Sequence, residues 1–152
     1  MKRFPVENQC YHVISATRNR RTTFSVLSNA EVLLEALQFT RNSRALLLAY
    51  AIMADHFHAV FVPITPYTLS QVMQTVKGFS SRRINAVTGN RGPIWQRSFF
   101  DRGIRDETQL YETISYIHGN PVQAGLVAAP EDYRFSSAGK LEGTDLIKYL
   151  NG

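Results

Sequence analysis

Cysteine is almost missing from this chain: Cys10 is the single one among 152 residues. An internal disulfide is therefore excluded, and nothing calls for an oxidising compartment. No stretch of about 18 apolar residues occurs, so no membrane-spanning helix is expected. The start, Met1-Lys2-Arg3-Phe4-Pro5, has no apolar segment behind it and does not read as a signal peptide, which makes the cytoplasm the expected location. Internal repeats, low-complexity tracts and long Pro/Gly/Ser linkers are also lacking. Acidic residues are scarce in one region only. Residues 1–105 hold 14 Lys and Arg against 5 Asp and Glu, whereas residues 106–152 hold 3 against 7.

The length suits one domain over residues 1–152, with 128–152 as a C-terminal tail, and can bury a core without disulfides. The formal net charge is +5, and 13 of the 17 basic residues are Arg, whose planar fork of donors fits phosphates and base edges. The asymmetry points to a nucleic-acid face built from the first two thirds of the chain, with a merely solubilising basic surface as the competing explanation.

Hydrophobic periodicity divides the chain into alternating elements. Tyr11–Thr17 is β-branched and aromatic and predicts a strand. A basic loop, Arg18–Thr23, follows. Asn29–Thr40 predicts a helix capped by Asn29, with Val32, Leu33, Ala36, Leu37 and Thr40 at helical spacing. Ala45–Met53 is an apolar run and predicts a buried strand, turning at Ala54-Asp55 into a second strand over His56–Pro63. A longer helix is expected from Ser70 to about Ala86. Gly89–Pro93 predicts a loop, Ile94–Ile104 an extended segment or strand, and Thr108–His118 a helix capped by Thr108 and stopped by Gly119 and Pro121. The last residues suggest a short helix. This order favours an α+β fold, an antiparallel sheet with helices packed on it.

Two features carry chemistry. His56 and His58 alternate along their strand and so share one face, spaced roughly 6.5–7 Å apart. Two imidazoles on an apolar strand need partners, and a divalent metal would be one. Polar residues on a half-exposed strand would look the same. Asp55 stands beside them, where its carboxylate could hold a ligating imidazole in place or brace the turn. His12 reads as a strand residue and His118 as a cation at a helix C-terminus. On the last long helix, Leu110, Ile114 and Ile117 form an apolar stripe, while Gln109, Thr113, Tyr116 and Asn120 form a second, polar one. Tyr116 and Asn120 are four apart and are neighbours there. By spacing alone, Tyr116 reads as well as a packing aromatic and Asn120 as a helix-ending residue.

Several ordered segments resemble one family. They are Tyr11-His-Val, Ala49–His58, Phe79-Ser-Ser-Arg-Arg-Ile-Asn85, Ile94-Trp-Gln-Arg97, Tyr116-Ile-His-Gly-Asn-Pro-Val122 with Ala124-Gly-Leu-Val127, and Tyr133-Arg-Phe-Ser-Ser137. Together they cover roughly residues 10–138 and resemble the REP-associated tyrosine transposases, a branch of the single-tyrosine HUH (IS200-like) transposases. Ala54 departs from the family's usual proline and Gly119 from a bulkier residue; the second departure bears on the helix end carrying Asn120. The resemblance implies the HUH nuclease fold, a ferredoxin-like antiparallel sheet with helices. It implies His56, His58 and Asn120 as ligands of Mg²⁺ or Mn²⁺, and Tyr116 rather than Tyr111 as the nucleophile. The implied activity is metal-dependent cleavage and rejoining of single-stranded, hairpin-containing DNA through a 5′-phosphotyrosine. A non-catalytic nucleic-acid-binding module and a water-using metal-dependent phosphodiesterase are the alternatives.

Arg18, Arg20, Arg21, Arg41, Arg44, Arg82, Arg83 and Lys77 are candidates for gripping phosphates or hairpin bases, and each also reads as a solvated charge. Trp95 and Phe99 are candidates for stacking on unpaired bases, and either also reads as core. Whether the chain acts as a monomer or a homodimer is open at this point.

Overall fold

In the computed structural model, which describes residues 3–4 and 9–152, alternating apolar residues build a four-stranded antiparallel sheet. Its elements run β1 (Cys10–Ala16), α1 (Leu27–Ser43), β2 (Ala45–Ile52), β3 (His56–Pro63), α2 (Leu69–Thr88), β4 (Phe100–Ile104), α3 (Glu107–Gln123) and α4 (Leu146–Asn151). The strand order is β2-β3-β1-β4. The antiparallel sheet with helices expected from the element order is present, and the βαββαβ order with this pairing is the ferredoxin-like arrangement that the family resemblance implies, extended by α3 and α4.

The pleat sends alternate side chains to opposite faces, and each face has its own core. On one side Val13, Phe57, Ala59 and Phe61 pack with Leu33, Leu37, Val72, Met73 and Val76 from α1 and α2. On the other, Cys10, Val60 and Val62 pack with Leu110, Ile114 and Ile117 of α3. The apolar stripe expected on α3 is thus the one that docks it, leaving its polar stripe along the edge of the contact. Burying each of these aliphatic side chains contributes about 1.5–3 kcal/mol.

The helix ends differ from their sequence expectation. Helix α2 begins after Thr68, whose hydroxyl and Gln71 form a reciprocal capping box, not after Ser70. Helix α3 is capped by Asp106, which accepts from the Gln109 backbone at 2.9 Å, not by Thr108. Asn29 lies inside α1 and donates to the Thr23 carbonyl. Gly119 and Pro121 do not stop α3, which continues to Gln123. Proline removes a single backbone donor in the final turn, and burial of Pro121 and Ile117 offsets it.

The C-terminal segment covers the free edge of β2. The Ile52 backbone N–H donates to the Phe135 carbonyl and the Ser137 N–H to the Tyr50 carbonyl, Tyr133 Oη donates to the Ile52 carbonyl at 2.6 Å, and the Asp145 backbone N–H donates to the Leu47 carbonyl. An otherwise unpaired strand edge is thereby satisfied. Among the described residues, no helix is long and apolar enough to cross a membrane.

Candidate active site

The antiparallel pairing of β1 with β3 sets Ile14 opposite His58 and His12 opposite Val60. Directly paired residues point to the same face, so His12, His56 and His58 all project toward α3. The His12 and His58 rings lie side by side, centroids 5.2 Å apart with 18° between their planes, and His12 Nε2 and His58 Nδ1 share a hydrogen bond of 3.0 Å. Both are buried, at 7% and 2% exposure. Burial pushes the His12 imidazole down to about 4, with the Arg102 charge adding to it. Burial, then the neighbouring His12 and His56, pushes His58 down to about 3. Both rings are therefore neutral at pH 7, the form in which an imidazole offers a lone pair.

Tyr116 comes from α3 and lies edge-on to both rings. Its centroid is 5.7 Å from that of His58 and 6.2 Å from that of His12. It is 57% exposed and lines a cavity of about 380 Å³ together with His12, Phe100, Arg102, Glu112 and Thr113. Asn120, one turn further on, is half-buried and donates to the Tyr116 carbonyl at 3.5 Å. Tyr111 is exposed and does not line this cavity.

His56 Nδ1 meets Asp55 Oδ1 at 2.8 Å, and Asp55 Oδ2 meets Arg20 Nε at 3.2 Å. Burial opposes the Asp55 charge, but the His56 hydrogen bond and the Arg20 guanidinium outweigh it, and the carboxyl sits below its ordinary range. The Asp55 carbonyl also accepts from the Thr17 backbone N–H. Asp55 thus braces both the turn and the histidine. Arg20 reaches it from a loop in which Asn19 and Arg20 hold φ of 58° and 53°, a left-handed conformation that is strained for non-glycine residues.

The donor set fits a divalent cation. Both β3 imidazoles have Nδ1 engaged by a neighbour, which leaves Nε2 for an ion. Among the described residues, no cluster of three or more His, Cys, Asp and Glu could hold one. An ion here would complete its shell with an amide or water oxygen, and Asn120 is the amide on the facing helix.

Several candidates from the sequence lie elsewhere or are already occupied. Trp95 is buried, stacks on Phe24 at 5.1 Å, meets Phe57 edge-on and donates to Ser80 Oγ; it is a core residue whose face is covered, not an open stacking platform. Arg41 is bound to Asp145, Gln38 and the Glu142 and Thr144 carbonyls, where it pins the tail. Arg44 lies over the Tyr67 ring, and Arg83 pairs with Glu35 over Phe79. Lys77 donates to the Gln96 carbonyl at 2.7 Å. Arg21 and Arg82 are exposed, and Arg18 lines a cleft with Asn19, Gln96 and Arg97. His118 is not a helix-end cation. It shares a 2.7 Å hydrogen bond with Ser137, and burial, aided by the Lys140 charge, lowers its pKa.

Sequence reading missed His12, Arg102 and Glu112. Only the neighbouring positions of β1, β3 and β4 bring the first two into the site. For Glu112, the signal was its place four residues before Tyr116.

Residues 5–120 match the family described as "Transposase IS200 like". The chain belongs to this family. Over 44 residues, 29% of this chain, it is 43% identical to a Haemophilus influenzae protein provisionally named a REP-associated tyrosine transposase. That stretch spans 25% of the relative's length. The fold is similar to that of a REP-associated tyrosine transposase solved bound to a REP hairpin, with a TM-score of 0.72, 22% identity, and coverage of 90% of this chain and 81% of the other. It is also similar to a protein of Deinococcus radiodurans described as a transposase, with a TM-score of 0.55, 21% identity, and coverage of 78% and 92%.

Proposed function

We propose that this chain is a metal-dependent endonuclease and strand transferase acting on single-stranded, hairpin-containing DNA, with Tyr116 as nucleophile. The observation that carries the reading is the half-exposed Tyr116 ring packed edge-on against the buried His58, beside a cavity open to a substrate. His56, His58 and the Asn120 amide oxygen would hold Mg²⁺ or Mn²⁺, donors that suit Mn²⁺ well. When bound, the ion would polarise the scissile phosphate and offset its developing charge.

The chain's own residues account for the rest. A phenol is a weak nucleophile near pH 7, so its attack depends on alignment and on charge placed beside the phosphate. The Tyr116 oxygen bonds to phosphorus, the bond from phosphorus to the 3′ oxygen breaks, the phenolic proton departs, and the 3′ oxygen takes up a proton. The products are a 5′-phosphotyrosine and a free 3′-hydroxyl. Attack by another 3′-hydroxyl reverses these steps and rejoins the strand without an outside energy source. Arg102 lines the same cavity, where its charge would attract the phosphate backbone. Arg18, with Arg97 in its cleft, offers a second basic contact to DNA, and the exposed Arg21 and Arg82 extend the basic surface.

The test is incubation with a cognate single-stranded hairpin and Mn²⁺. A covalent protein–DNA adduct on a denaturing gel, lost in Tyr116→Phe, is the expected result. Cleavage that persists without an adduct in Tyr116→Phe would instead mark water as the nucleophile. Binding without cleavage by the wild type would mark a non-catalytic module.

A further inference from the structure

The two histidines of β3 have their Nδ1 atoms taken by different kinds of neighbour. On the outer side, Asp55 sits 2.8 Å from His56 and is itself held by Arg20. On the inner side, His12 Nε2 sits 3.0 Å from His58 Nδ1. His12 is fixed there from several directions. Its ring lies side by side with that of His58 in nearly the same plane and meets Phe100 at 5.9 Å and Tyr116 at 6.2 Å, both edge-on. Its strand is hydrogen-bonded to β3 on one side and β4 on the other.

We propose that His12 is a positioning residue that accepts a hydrogen bond from His58 Nδ1–H and so reserves His58 Nε2 for the metal ion, as Asp55 does for His56. The inference rests on the metal reading of the site given above. A neutral imidazole has one protonated and one bare nitrogen, and only the bare one can ligate. With Nδ1 committed to His12, ligation through Nε2 requires the His58 proton on Nδ1. His12 must then accept through Nε2 and carry its own proton on Nδ1.

The choice of an imidazole over a carboxylate follows from location. His56 and Asp55 are partly exposed, and Arg20 balances the carboxylate charge. His58 is almost fully covered, and an acidic neighbour there would bring a second buried charge needing its own partner. A neutral imidazole supplies the acceptor without that cost. The two rings lie side by side with planes 18° apart, so the bond fixes the plane of the ligand as well as its proton. The site therefore has one charged brace at its rim and one neutral brace in its interior.

Two substitutions separate the hydrogen bond from the packing. His12→Phe keeps an aromatic ring and removes the acceptor, whereas His12→Gln retains a carbonyl acceptor. Two measurements read them: the protonated nitrogen of His58 by ¹⁵N NMR of the metal-free protein, and Mn²⁺ affinity by electron paramagnetic resonance. In the wild type, His58 is expected to carry its proton on Nδ1. His12→Phe is expected to weaken Mn²⁺ binding about 10–100-fold, the range for outer-shell partners of metal-ligating histidines. His12→Gln is expected to recover most of that loss. A His58 proton on Nε2, unchanged Mn²⁺ affinity in His12→Phe, or equal losses in both variants would overturn the role given to His12. If His12→Phe does not fold, the wild-type spectrum and His12→Gln still decide. A wild type that binds no Mn²⁺ would sink the metal reading itself, a result distinct from metal binding indifferent to His12.

Discussion

The Tyr116 ring stands edge-on to the His58 imidazole, with centroids 5.7 Å apart and planes at 80°. The two residues come from α3 and β3, and the apolar stripe of α3 is what brings them together. Because Tyr116 is half-exposed, its hydroxyl can be removed with little effect on packing. Tyr116→Phe is expected to leave the thermal midpoint within about 2 °C of wild type, since surface changes fall within about 0.5 kcal/mol, while the covalent DNA adduct disappears. Tyr111→Phe is the matched control and is expected to keep the adduct. An adduct retained by Tyr116→Phe and lost by Tyr111→Phe would transfer the nucleophile role to Tyr111.

Asp55 holds His56 at 2.8 Å and is paired with Arg20. Asp55→Ala is expected to weaken Mn²⁺ binding by about 10–100-fold. Arg20→Ala removes only an exposed partner and is expected to cost less than Asp55→Ala. Calorimetric titration with Mn²⁺ ranks the two. Equal affinity in wild type and Asp55→Ala would remove the carboxylate from the site's architecture.

Acid should destabilise the metal-free protein. His12 and His58 are pushed down to about 4 and about 3 from 6.5, so the unfolded chain binds more protons below pH 6.5. Stability is fully present above about pH 6.5 and is lost as pH falls from there through about 4 for His12 and about 3 for His58, approaching about 1.4 kcal/mol per pH unit for each excess proton. Urea unfolding at pH 7 and pH 5 measures this, with a lower midpoint expected at pH 5. His12→Phe should flatten the dependence. Identical midpoints at the two pH values in the wild type would contradict the buried neutral pair.

Trp95 sits between Phe24, Phe57 and Ser80. Trp95→Ala is expected to cost about 3–5 kcal/mol of stability, as for other large-to-small core changes. Denaturant melts check this. A variant with wild-type stability and impaired DNA binding would restore Trp95 to a base-stacking role.

Gly119 lies inside α3, and a Cβ built there meets nothing within 4 Å. Gly119→Ala is expected to stabilise the protein by about 0.5–1 kcal/mol, because alanine loses less conformational freedom on entering a helix. The same variant should keep adduct formation, since the helix already carries Asn120 in regular geometry. A loss of stability in thermal melts would show that the glycine is needed in its own right.

Much of this architecture was legible from local pattern. The alternation in β3 placed His56 and His58 on one face, and the two stripes of α3 separated its docking residues from Tyr116 and Asn120. Helix boundaries were less legible. Thr68 and Asp106 cap where Ser70 and Thr108 look equally suitable, and Pro121 signals a stop that burial overrides. The basic residues were least legible. Arg41 and Arg83 match exposed DNA-contact residues in sequence, yet their partners Asp145 and Glu35 lie far along the chain.

By itself, then, the sequence determined the element order, the two-faced character of the strands and the pair of histidines, because these depend on periods of two and 3.6 residues along a continuous chain. The tertiary structure alone decided that β1 pairs with β3, and this sets His12 against His58 and gives the site its third imidazole. No local period encodes that contact. It arises from sheet order and register, which follow from burying both faces of the sheet at once.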